Sequence, residues 1–158
     1  MPGMGTGSLA FLTDTMLTIY SLLATGAATR YGDIRFIFSH AGGTMPSLIE
    51  RFGVGLPGTH NDVFAGPAEP NSNLYHLRRF YYDAANSCNT VQLQGLKTIV
   101  GASQIVFGSD YQMTALGTEM PGKQIPALQK CGFTASELAG IHRGNAETRL
   151  LPRLSRNA

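Results

Sequence analysis

The sequence predicts a parallel α/β fold, on three observations. Short runs rich in β-branched and aromatic residues, at 34–38, 80–83 and 104–107, alternate with segments of helical periodicity. Each run ends at or near a residue able to do chemistry: His40 before Ala41-Gly42-Gly43, Asp83, and Asp110 after Gly108-Ser109. Hydrophobic residues make up 43% of the chain against 14% charged, enough to bury a core. Strand–helix alternation argues for βα units, and their right-handed crossovers bring successive strand ends to one edge of a sheet. All 158 residues are expected to form a single segment, one ordinary domain or a piece of a larger one.

Thr13-Asp14-Thr15 supplies capping side chains for a first helix with Leu17, Tyr20, Leu22 and Leu23 at apolar positions. Gly26 and Tyr31-Gly32-Asp33 end it and turn the chain. Residues 34–38 form the first strand and 45–52 a helix, with Pro46 tolerated in its first turn. Residues 53–73 carry Gly55, Pro57, Gly58, Gly66 and Pro67 with little periodicity and read as a long loop. One or two helical turns at 74–79 lead into the second strand, 80–83, and a crossover helix at 91–100. The third strand, 104–107, is followed by closing helices at 125–130 and 136–151.

Composition excludes several function classes. Twelve Lys and Arg against ten Asp and Glu give a formal charge of +2 with no basic cluster, so no nucleic-acid partner is expected. The nearly apolar stretch at 15–28 falls short of the roughly 20 residues a membrane span needs. The first basic residue is Arg30, so the positive start of a signal peptide is missing. No membrane association is expected, and the stretch reads as a buried helix. Cys88 and Cys131, the two cysteines, make neither a zinc CxxC pair nor a disulfide framework. A reducing cytoplasm is the compartment that fits them.

The candidate site centres on His40 and Asp110. A histidine changes charge near neutral pH and suits proton transfer, while a carboxylate suits a divalent metal. The structural alternatives are a loop hydrogen bond for His40 and a helix cap for Asp110. Asp83, in the same register, either orients His40 or a metal ligand from behind, or makes an N-cap or Asx turn. Gly117 to Gln124, GTEMPGKQ, approaches the phosphate-loop pattern, but Gln124 replaces the hydroxyl that holds magnesium and Pro121 removes an amide. The HAGG segment is similar to an esterase oxyanion loop, yet no GxSxG supplies a nucleophile. His60 lies in the long loop, within reach of a site. His76 and His142 read as surface or capping residues on helices.

Several segments taken together are more specific. Phe36 to Gly43 followed by Thr44-Met45-Pro46 and Arg51, then Arg79-Phe80-Tyr81-Tyr82-Asp83-Ala84-Ala85, Phe107-Gly108-Ser109-Asp110-Tyr111 and Gly144-Asn145-Ala146 run in order along the chain. They resemble the amidohydrolase superfamily, in the branch of aminocarboxymuconate-semialdehyde decarboxylase and the resorcylate and methylsalicylate decarboxylases. The resemblance implies a partial (β/α)8 TIM barrel, about the last three βα units with the preceding helix; a whole barrel takes about 250 residues. It implies that Asp110 binds a divalent metal, zinc or manganese, and that His40 is the acid/base residue. It implies that Arg51 reaches across a dimer to a substrate carboxylate, a role suited to the guanidinium fork; a helix-surface ion pair is the alternative. The family's HxH pair and fifth-strand histidine have no counterpart, because no histidine precedes His40, and Gln112 stands where proline is usual.

The implied activity is that of the C-terminal part of a metal-dependent carboxy-lyase acting on an aromatic or unsaturated carboxylic acid. A metal-dependent hydrolase of the same superfamily is one alternative. The other is a non-catalytic fragment that self-associates or complements an N-terminal half-barrel. With most ligands missing, the chain alone is expected to hold metal weakly or not at all and to be inactive.

Overall fold

The computed structural model describes residues 7–53, 67–111 and 120–151. Helix α1 spans Gly7–Ala24 and begins before the expected cap at 13–15, which therefore lies inside it. There the hydroxyls of Thr13, Thr15 and Thr18 donate to the carbonyls of Leu9, Phe11 and Asp14, four residues back, at 3.2, 3.0 and 2.8 Å. Back-bonding of this kind lets threonine sit within a helix instead of starting one. Ile19 is fully buried, while Leu9, Phe11, Leu17 and Tyr20 stay exposed. Gly26, at φ +68°, turns the chain into α2, Ala27–Arg30.

Three strands, β1 (Ile37–Phe38), β2 (Tyr81–Asp83) and β3 (Ile105–Val106), form a parallel sheet in the order β1-β2-β3. Ile37 and Phe38 lie opposite Tyr81 and Tyr82, and Tyr82 and Asp83 opposite Ile105 and Val106. The mixed α/β architecture and the parallel sense agree with the sequence reading, but the strands are shorter. At the start of the expected first strand Ile34 is exposed, and the Arg35 guanidinium reaches the carbonyls of Arg149 and Leu150. The Ile34 N–H bonds back to the Tyr31 carbonyl and the Arg35 side chain is engaged at residues 149–150, so neither extends the ladder. On β1, Phe38 is buried and Ile37 is 53% exposed, the alternation of a strand covered on one face. Phe38 stacks edge-on against Phe80, with centroids 5.2 Å apart, and Phe36 does so at 5.5 Å. The fully buried Tyr82 hydroxyl donates to the Leu77 carbonyl at 3.0 Å, and burial raises its pKa far above the usual tyrosine value.

After β1 comes a short 3₁₀ turn, His40–Gly42, and then Met45–Phe52, which winds as 3₁₀ and not as the expected α-helix. A kink at Leu48, φ −116°, divides it into pieces too short for α-type bonding. Residues 54–66 of the expected loop, His60 among them, lie outside the described residues. The loop's last residue, Asn73, instead opens α3 (Asn73–Leu77), whose cap is the Ser72 hydroxyl accepting from the Tyr75 N–H at 3.1 Å. Helix α4 (Thr90–Val100) is capped by Asn89 and buries Leu93, Leu96, Ile99 and Val100 in the core. Helix α5 (Met120–Gln129) starts earlier than expected and carries Pro126. Helix α6 (Ala135–Ala139) opens with a Thr134–Glu137 capping box, then loosens into π turns at Gly140–Gly144 and Ala146–Leu150. Between those turns Asn145 donates to the carbonyls of Ala102 and Ile105 at 2.9 and 2.8 Å, fastening the end of the chain to β3. Among the described residues no helix is long and apolar enough to cross a membrane.

His76 is not at the surface, as its helical position suggested, but 3% exposed. Its Nε2 sits 3.0 Å from the Thr29 hydroxyl, tying α3 to α2, while Nδ1 has no partner among the described residues. Burial, and then the Arg79 guanidinium, lower its pKa below 6.5, so the folded state holds the ring neutral. The unfolded chain binds this proton more readily, so stability rises with pH in that window and levels off above about 6.5. Unfolding free energies from chemical denaturation are expected to fall as pH drops below 6.5, by at most about 1.4 kcal/mol per pH unit from this single proton. His76→Gln should remove that slope. A slope unchanged in the variant would assign the pH dependence to other groups.

Candidate functional site

Each strand hands over to a loop whose backbone is unusual. His40 and Ala41 both have φ 54°, followed by Gly42 at 78° and Gly43 at 64°. Asn86, in the loop after β2, has φ 49°, and Asp110, after β3, has φ 54°. Left-handed backbone is uncommon outside glycine, and it persists only where the surroundings enforce it. Of the two residues foremost in the sequence reading, both are held this way at the carboxyl edge of one sheet.

His40 is fixed at three points. Its backbone N–H donates to Oδ1 of Asp83 at 2.9 Å. Its Nδ1 lies 2.9 Å from the Ala85 carbonyl. A carbonyl only accepts, so Nδ1 carries the hydrogen and the neutral ring keeps its lone pair on Nε2. Its own carbonyl accepts from the Gln92 amide at 3.0 Å, and the same amide nitrogen donates to the Gly43 carbonyl at 3.0 Å. Gln92 was missed in the sequence, where it belongs to no motif; it sits on the first turn of α4, three residues after the Asn89 cap.

Asp83 makes the Asx turn considered for it and holds backbone at the His40 loop as well. Oδ1 also accepts from the Ala85 N–H at 2.9 Å, which is an Asx turn, and it grips the His40 main chain, not the imidazole. Burial pushes the Asp83 carboxyl above its ordinary value. The His40 and Ala85 N–H bonds and the His40 charge oppose this, and the Asp110 carboxylate adds to it. Asp83 and Asp110 thus sense each other across the end of the sheet. Gly108 lets the chain after β3 pass close to Asp83, because a Cβ there would come within 2.9 Å of the Asp83 side chain. Gly42 likewise lies against the Tyr82 ring, 3.0 Å from where its Cβ would stand.

The remaining candidates lie apart from this group. Arg51 is exposed near the end of the 45–52 segment and makes no hydrogen bond or ion pair with His40, Asp83 or Asp110. His142 is half-buried with its ring 5.9 Å from Phe107. Of the GTEMPGKQ stretch, residues 117–119 are outside the described residues; Gln124 is buried and donates to the Ser109 carbonyl at 3.3 Å. Among the described residues no group of three or more His, Cys, Asp or Glu side chains is arranged to hold a metal ion. The donors among the described residues therefore do not by themselves complete a metal centre.

Residues 4–153 match a protein-family model described as Amidohydrolase. A 6-methylsalicylic acid decarboxylase of Aspergillus aculeatus is 36% identical over 98 residues, covering 62% of this chain and 30% of that protein. A 2-amino-3-carboxymuconate-6-semialdehyde decarboxylase of Dictyostelium discoideum is 26% identical over 126 residues, covering 78% of this chain and 33% of that protein. The chain thus spans about a third of the length of these curated relatives. A dihydroxybenzoic acid decarboxylase from Polaromonas sp. JS666, solved with bound manganese and the inhibitor 2-nitroresorcinol, superposes with a TM-score of 0.71 at 19% identity. That match covers 96% of this chain and 43% of the other.

Proposed function

The chain belongs to the amidohydrolase family, and from that premise we propose that it is the C-terminal part of a metal-dependent carboxy-lyase for an aromatic or unsaturated carboxylic acid. In this reading its three βα units, with the preceding helix, are the last part of a (β/α)8 barrel. The carrying observation is that His40 and Asp110 both hold φ 54° at the carboxyl edge of one parallel sheet, where ligands of α/β folds gather. The decarboxylases among its relatives favour carbon–carbon cleavage over hydrolysis.

Asp110 is the ligand this chain offers to a divalent metal, zinc or manganese, with the other donors supplied from outside it. Such a metal polarises substrate oxygens and bound water. His40, with Nδ1 held by Ala85, works through Nε2. Once protonated there, it gives that proton to the substrate carbon as the bond to the carboxylate breaks and carbon dioxide leaves with no electrons lost. Asp83 steadies the His40 main chain through this exchange. The missing donors come from an N-terminal half-barrel or a second copy of the chain. The edge of β1, unpaired among the described residues, and the exposed apolar residues of α1 support such a partner. The cytoplasm remains the compartment we assign.

The test is to co-express the chain with an HxH-bearing N-terminal segment. We then measure carbon dioxide release from 6-methylsalicylate and 2,6-dihydroxybenzoate, with metal content after dialysis. Turnover with metal in the assembly, and neither in the chain alone, is the expected result. Ring opening or amide hydrolysis without carbon dioxide would replace the lyase reading by the hydrolase one. In the same assembly Arg51→Ala is expected to raise KM about tenfold to a hundredfold with kcat little changed, as for a lost ion-assisted contact to the substrate carboxylate. An unaltered KM would return Arg51 to the role of a surface charge.

A further inference from the structure

His40 opens a run of four left-handed residues, His40 to Gly43, with φ 54°, 54°, 78° and 64°. Two of the four carry a Cβ, so this turn does not hold itself; its surroundings must enforce it. Three of its fixings come from one segment, 83–92. Asp83 takes the His40 N–H and the Ala85 carbonyl takes Nδ1 of the ring, both at 2.9 Å. On the carbonyl side, the Gln92 amide nitrogen meets the carbonyls of His40 and Gly43, at 3.0 Å each. The turn's own closing bond, from the Gly43 N–H to the His40 carbonyl at 2.9 Å, joins the same two residues. Gln92 therefore clasps both ends of the turn from outside.

A primary amide suits this task because its nitrogen carries two hydrogens, one for each carbonyl. The reverse orientation would set the amide oxygen against two carbonyl oxygens, so the partners fix which end is nitrogen. The oxygen then faces Asn89, whose side-chain nitrogen lies 3.5 Å away. Asn89 Oδ1 also accepts the Gln92 main-chain N–H at 2.9 Å, which caps α4. A glutamine three residues after a cap usually reaches back to the cap's own backbone. This one crosses instead to residues 52 and 49 positions earlier in the chain. Gly43 is buried, so losing the donor to its carbonyl is costly.

We infer that Gln92 is a positioning residue for His40: by holding both ends of the left-handed turn, it fixes the direction in which the ring presents Nε2. That the ring moves a proton rests on the function proposed above; the clasp does not, since all its contacts lie within this chain. Without the two donors the turn relaxes and the His40 main chain rotates. Nδ1 then leaves the Ala85 carbonyl, and the ring samples both tautomers. An acid/base group displaced by about 1 Å loses on the order of a hundredfold in rate.

The test uses the full chain and two variants. Gln92→Glu keeps the shape and suits a helix N-terminus, so α4 stays capped, but it puts oxygen where the two donors were. Gln92→Met removes the donors without adding charge. NMR of the imidazole nitrogens at about pH 8 is the first readout, because histidine is ordinarily neutral there. The wild type is expected to show His40 as the Nδ1–H tautomer alone, and both variants a mixture. Gln94→Met is the control: Gln94, on the same helix, donates to the Cys131 carbonyl at 2.6 Å, so its loss costs stability and leaves the His40 signals in place. In the assembled enzyme both Gln92 variants are expected to lower kcat about tenfold to a hundredfold, with KM within about twofold of wild type. A single tautomer kept in both variants, the same mixture in Gln94→Met, or an undiminished kcat would each overturn the inference. If one Gln92 variant fails to fold, the other decides. If both fail, the wild type decides: its Gln92 side-chain amide protons should exchange with water at least about tenfold more slowly than those of the exposed Gln129. Equal exchange would sink the clasp. Tautomer mixing in the variants, with an assembly that releases no carbon dioxide, would remove the lyase reading and leave the clasp standing.

Discussion

His40→Asn in the assembled enzyme is expected to lower the rate of carbon dioxide release by about 10²–10⁴, the usual contribution of a positioned acid/base group. Asparagine is chosen because it tolerates the left-handed backbone that His40 adopts at φ 54°, so the loop keeps its course. The main-chain N–H to Asp83 and the carbonyl to Gln92 survive the change; only the ring and its Nε2 are lost. The loss should therefore fall on kcat and kcat/KM alike, with substrate binding little altered. Steady-state rates with 6-methylsalicylate check this. A variant within a few-fold of wild type would transfer the proton-moving role to another group and sink the mechanism.

Gly43→Ala should be the most destabilising Gly→Ala change among the described residues, by about 3 kcal/mol or more, with two causes adding. Gly43 holds φ 64° and ψ −131°, a backbone region nearly closed to side-chain-bearing residues. A Cβ there would also stand 2.0 Å from the carbonyl oxygen of Leu12, inside helix α1, where backbone has to yield. The Thr44 N–H donates to that same carbonyl at 3.3 Å, so α1 and the turn after β1 are in direct main-chain contact. Urea denaturation followed by circular dichroism checks the loss. Gly53→Ala is the comparison: the φ is similar, 65°, but its Cβ would meet nothing nearer than the Asn73 side chain at 3.4 Å. Equal losses at the two positions would mean that φ alone, and not the contact with α1, sets the cost.

The parallel order of the strands was legible because alternating β-rich and helical runs leave few topologies open. Their length was not. Ile34 and Arg35 have strand-like neighbours, yet the Arg35 side chain is engaged over a hundred residues later, by the carbonyls of Arg149 and Leu150. The start of α1 was misplaced because Thr13 and Asp14 are caps in most contexts, and nothing local says that their hydroxyl and backbone will serve a continuing helix. His76 looked peripheral because helical periodicity does not record the Thr29 hydroxyl that receives it. At the candidate site, the placement of His40, Asp83 and Asp110 at the strand ends was legible from the strand pattern. Gln92 and Gln124 were not, since neutral amides carry no motif and act only through the carbonyls they meet in the fold.

The shortness of β1 has a bearing on how the chain behaves when concentrated. Its outward edge offers main-chain pairing over Ile37 and Phe38 alone, and Arg35, just before them, is drawn aside. Cross-β growth takes segments of about six or seven residues laid flat against one another. A two-residue ledge cannot template such a ladder. The β1 edge of the folded chain should therefore not seed thioflavin-positive fibrils when the chain is concentrated.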